Sequence, residues 1–167
     1  MSVRELVFFA THRPADEVAD LLAGALGGTV EHRDGSAWLL VDTAHLVDGA
    51  TGRFGGPLVE HDITEGRGSD DEWEASDAYR LELRLWQAEG PRIHPVTGRD
   101  IEADAAGTVF AAAVGAVADV PILRVRDDDK LISAALPGRG ARTFPAGTSI
   151  YDWDEPLWDG YVVRKER

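Results

Sequence analysis

Residues 79–126 constrain the fold more than any other stretch of the chain. Tyr79-Arg80-Leu81-Glu82-Leu83-Arg84-Leu85-Trp86 alternates apolar and polar side chains, the period-2 signature of a strand with one buried face. Over residues 101–118 the pattern becomes Ala-rich and helical, with Val109, Phe110, Ala113, Val114, Ala116 and Val117 marking the inward side. A helix this apolar does not stand in water, and it is too short to cross a bilayer, so it must lie on a sheet. Tyr79, Leu81, Leu83 and Leu85 offer the surface. Residues 120–126 then return to strand.

The start of the chain reads in the same order. Residues 3–10 form a buried strand. Pro14 opens a helix with Asp16 and Glu17 in its first turn, where the helix dipole favours acids. Val18, Leu21, Leu22, Ala25 and Leu26 keep helical spacing, and Gly27-Gly28 supplies the left-handed stop. Residues 29–33 and 36–41 flank Asp34-Gly35, a two-residue hairpin signal. The second half repeats strand, helix, strand, strand, its last turn being Asp127-Asp128-Asp129 ahead of residues 130–136. The expectation is a single α+β domain over residues 1–167. It comprises two βαββ halves, sharing an antiparallel-rich sheet with helices mainly on one face. Residues 141–144, 149–153 and 160–164 are expected to add strands.

Between the halves, residues 42–78 read as a loop excursion. Asp48 to Pro57 is Gly-rich, a short strand is expected at 58–63, and residues 60–77 hold eight acids against one arginine. That composition buries too little apolar surface to offset its chain entropy.

The charge is the next constraint. Thirty acids against 17 bases leave a formal charge of −13, which repels phosphate backbones and anionic lipid, so nucleic-acid and membrane partners are not expected. Either the acids serve solubility or they complement a basic partner. There is no cysteine, which excludes disulfides, thiolate metal sites and a Cys nucleophile. Residues 6–10 are too short an apolar run for a leader, and a cytoplasmic protein is expected.

No motif commits the chain to catalysis. His12, His32, His45, His61 and His94 are scattered, without the i, i+4 pairing of a helical zinc site. The glycines at 49, 52, 55 and 56 are followed by no Lys-Ser or Lys-Thr, which excludes a phosphate-binding P-loop. No serine lies in a Gly-x-Ser-x-Gly elbow. Asp70-Asp71-Glu72 and Asp127-Asp128-Asp129 read as turns and lack calcium-loop spacing. No metal or cofactor is expected.

The most informative surface combines acids with aromatics. Residues 150–161 carry four acids, two tryptophans, two tyrosines and no base, and Asp71-Glu72-Trp73-Glu74 repeats the combination. Tryptophan gives rigid contact area, and surrounding acids steer a cationic partner. Asp71, Glu72, Trp73, Asp152, Asp154, Glu155 and Trp158 are therefore the candidate partner-binding residues. The alternative is that Trp153 and Trp158 plug the edge of the core while the acids face water.

The opening Phe8-Phe9-Ala10-Thr11-His12-Arg13-Pro14-Ala15-Asp16-Glu17-Val18, with Leu21-Leu22 and Leu26-Gly27, resembles the strand–Thr–Pro–helix opening of some immunity proteins of bacterial polymorphic and contact-dependent toxin systems. The tryptophan-bearing acidic tail is similar too. That resemblance implies stoichiometric binding to one cognate toxin domain and blocking of its active site, without a cofactor. A small enzyme and a regulatory adaptor remain the competing classes. An enzyme requires convergent polar groups in a concave pocket, and a binding protein requires an exposed patch.

Overall fold

The structure, a computed structural model, describes residues 4–61 and 73–164. Strand β1 (Glu5–Phe9) is buried along its whole length and alternates between two cores: Val7 and Phe9 enter one, Leu6 and Phe8 the other. Helix α1 (Ala15–Leu26) follows. Gly27 ends it at φ 69°, donating its N–H back to Ala23 O. Strands β2 (Thr29–Arg33) and β3 (Ser36–Asp42) form the expected hairpin, Asp34 and Gly35 both at positive φ, as a two-residue turn of matching twist requires.

β4 (Arg53–Glu60) departs from the sequence reading. The Gly-rich stretch is a strand paired on both sides, with β3 and with β5 (Leu81–Glu89). A Cβ on Gly55 would lie 1.9 Å from Leu39 O, and one on Gly56 would lie 1.8 Å from Arg84 O. Neighbouring backbone closes in on both sides here, and only glycine fits. Residues 62–72 of the expected excursion lie outside the described residues. Residues 73–79 do not behave as a loop in water: Ala75, Ser76, Asp77 and Tyr79 are buried.

Helix α2 (Ile101–Ala116) is capped by Asp100, whose carboxylate accepts from Ala103 N at 3.2 Å. Val109, Phe110 and Val117 are buried as expected, whereas Val114 is half-buried at the border of the stripe. β6 (Ile122–Arg126), β7 (Lys130–Leu136) and β8 (Gly140–Thr143) complete an eight-stranded sheet of order β2-β3-β4-β5-β1-β6-β7-β8, every pairing antiparallel. The α+β class and the antiparallel sheet match the sequence reading. The order strand–helix–strand–strand occurs twice along the chain, but the two sets interleave, since β1 lies between β5 and β6.

Helices α1 and α2 pack on each other and on one sheet face, around Val7, Phe9, Leu39, Leu81 and Leu83. Among the described residues, the opposite face is covered only in part. Residues 73–79 and 144–163 close over Leu6, Phe8, Leu123, Val125 and Leu131. Of the strands expected in that tail, only β8 forms. Isolated bridges at Ser149 and Tyr151, a 3₁₀ turn at Asp152–Asp154 and a helical turn α3 (Glu155–Trp158) replace the rest. Pro156 near the start of α3 suits a helical turn and cannot donate to a ladder.

Candidate functional site

The candidate partner-binding residues separate into three environments. Asp71 and Glu72 lie outside the described residues. Trp158 is only 1% exposed, its indole Nε1 donating to Ser149 O at 3.1 Å. Trp73 is half-buried against it, with ring centroids 5.0 Å apart, edge to face. Trp158 is therefore a core side chain, and its contact area is spent inside the molecule. An indole fills the gap beneath the tail because a buried carbonyl is in place for its N–H.

Asp154 is also occupied locally, accepting from Ser149 N at 2.8 Å and closing the turn. Glu155 pairs with Arg164, whose guanidinium lies 4.7 Å from the centre of the Trp73 ring. Asp152 faces water. The exposed apolar area of the tail comes from Trp153, 70% exposed, and from Leu157. Trp153 stacks on Tyr151 at 4.6 Å between centroids. Burial first, then the charges of Glu74, Asp129 and Asp128, hold the Tyr151 hydroxyl above its usual range.

A second site, a concave one, involves residues that the alternation at 81–86 already placed on one face without revealing what they meet. The β1–β5 register puts Glu82 and Arg84 on the side of Leu6 and Phe8, and Trp86 follows at the next position on that side. Trp38 of β3 stands across Pro57, and Trp86 across Gly55. The two indoles meet edge to face, 5.4 Å apart at 88°. They wall a cleft of about 440 Å³ on the half of the sheet that the tail leaves open, lined also by Arg4, Glu5, Arg84, Arg92 and Glu102.

Electrostatics differ sharply between these two sites. In the cleft, Arg84 Nε donates to Glu82 at 2.6 Å, and Arg92 lies 3.8 Å from Glu102 without donating a hydrogen bond among the described residues. Glu102 itself accepts from the backbone N–H of Gln87 at 2.7 Å. Glu5 is 1% exposed; its Oε1 lies 3.5 Å from both Arg124 and Arg126, while Oε2 has no hydrogen-bond partner among the described residues. Burial pushes the Glu5 carboxyl up to about 7 against the pull of those two arginines.

The histidines do not converge. His94 is buried in the loop after β5, its Nε2 2.9 Å from Asp48 O and its Nδ1 accepting from the N–H groups of Val96 and Thr97. Among the described residues no group of three or more His, Asp or Glu side chains is placed to hold a metal ion, and no helix is long and apolar enough to cross a membrane. In comparisons with known proteins, no family model, no curated protein and no solved structure matches this chain.

Proposed function

We propose that this protein is an immunity protein, a stoichiometric inhibitor that binds the basic face of a cognate toxin domain in the cytoplasm. One observation carries the reading: an exposed indole, Trp153, lies on Tyr151, whose hydroxyl feels the charges of Glu74, Asp129 and Asp128. Such a combination pairs desolvated contact area with charges that steer a cationic partner. Asp152, Trp153 and Leu157 are the accessible part of that surface among the described residues, and the run Asp71-Glu72-Trp73 is assigned to the same interface from its sequence alone. Asp154, Glu155 and Trp158 support it from below by fixing the turn. The overall charge of −13 favours encounter with a basic domain.

The test is titration with the C-terminal domain of a large secreted protein encoded beside it, across ionic strength. A one-to-one complex is expected, with Asp152→Asn slowing association and Trp153→Ala weakening binding by about 2 kcal/mol through faster dissociation. The absence of such a neighbour, or no complex at micromolar concentrations, overturns the reading.

A further inference from the structure

The cleft beside Trp38 and Trp86 shares no residue with the acidic tail, and three arginines line it against two glutamates, Glu5 and Glu102. A chain with an excess of 13 negative charges gathers Arg4, Arg84 and Arg92 around one concavity. Arg4 is paired with Asp128. Arg84 spends one donor on Glu82, and Arg92 donates none among the described residues. A guanidinium carries five N–H donors in a rigid planar fork, so Arg84 and Arg92 keep most of theirs for an oxyanion.

The walls ask for something flat. Trp38 and Trp86 are half-buried rather than sealed, and Pro57 is buried beneath them. The glycines of β4 let the indoles lie close to the sheet, with Trp86 Cζ3 3.0 Å from where a Gly56 Cβ would stand. The cleft volume of about 440 Å³ suits a small molecule.

We infer that this cleft binds a small planar aromatic anion, its ring against Trp38 and Trp86 and its anionic group on Arg84 and Arg92. Phosphate and carboxylate share that chemistry, so the experiment carries both. Calorimetric titration of the full chain uses GMP and indole-3-acetate as aromatic anions. Inorganic phosphate serves as the anion alone, and indole as the ring alone.

At least one aromatic anion is expected to bind with a dissociation constant below about 1 mM, about tenfold or more tighter than phosphate or indole. Arg84→Gln and Trp86→Leu should each weaken it about tenfold or more, with the near-ultraviolet circular dichroism of Arg84→Gln unchanged. The indole N–H resonance of Trp86 or Trp38 should move on titration. The inference is overturned if neither aromatic anion binds at 1 mM, if phosphate or indole alone binds as tightly, or if Arg84→Gln, folded, binds as well as the parent. It stands or falls independently of toxin binding, since Trp153→Ala should leave the titration unchanged.

Discussion

Gly56 and Trp86 occupy one another's space. A Cβ on Gly56 would meet Trp86 Cζ3 at 3.0 Å and Arg84 O at 1.8 Å, and the glycine sits at φ 159° in the middle of a strand paired on both sides. Gly56→Ala cannot be absorbed by a side-chain movement alone, because the closer contact is backbone. It should cost about 3 kcal/mol or more, read as a lowered denaturant midpoint. Retained stability would mean that β3 and β5 are not clamped to β4 in this way.

Trp158 distinguishes a core role from an interface role. With its ring buried against Trp73 and its N–H on Ser149 O, Trp158→Ala should cost about 3–5 kcal/mol of stability. Trp153→Ala, at an exposed site, should change stability by less than about 0.5 kcal/mol. Urea denaturation of the pair measures the contrast.

Much of this architecture is legible along the chain, and the two misreadings share one cause. β1, β5 and both long helices carry their periodicity in their own residues. The hairpins carry theirs in Asp34-Gly35 and Asp127-Asp128-Asp129, whose first two aspartates adopt positive φ. β4 does not. Gly55-Gly56-Pro57 reads locally as a turn, and what makes it a strand is the close approach of Leu39 O and Arg84 O, contributed by strands before and after it. The tail misleads in the same way. Trp158 lies among acids in sequence, and only Ser149 O and Trp73, brought round by the fold, decide that it goes inward. The cleft is legible in part, for period-2 alternation puts Glu82, Arg84 and Trp86 on one face, but Trp38 joins them only through the register of β3 on β4.

The N-cap of α2 gives a smaller, sharper test. Asp100 accepts from Ala103 N and also holds Arg126 at 2.9 Å. Asp100→Ala should cost about 1–2 kcal/mol, while Asp100→Asn keeps the cap and should cost less. Thermal unfolding of the two variants separates the cap from the ion pair.

Glu5 predicts a pH dependence with a definite sign. Its carboxyl rises from 4.5 to about 7, chiefly by burial, opposed by Arg124 and Arg126 from β6 and assisted by Asp100 at the start of α2. The unfolded chain releases this proton near pH 4.5, and the folded protein holds it until about pH 7. The contribution is therefore fully present below pH 4.5 and is lost as pH rises to about 7. Asp104 acts oppositely, since its hydrogen bond to Arg99 lowers its pKa, so its contribution is present above the ordinary carboxylate range and is lost in acid. Denaturation at several pH values should show stability falling between about pH 4.5 and 7, and Glu5→Gln should flatten that limb. An unchanged slope in the variant refutes the assignment.

The place of β1 in the sheet has a consequence for biosynthesis. Glu5 pairs with Leu85 on one side and Arg126 on the other, so this strand leaves the ribosome well before either of its partners. Throughout the intervening translation its two edges and both its apolar faces have no permanent partner, the condition under which nascent strands pair with the wrong chain. A ribosome-bound chain arrested before residue 122 should hold a chaperone on residues 5–9, and one extended past residue 136 should release it.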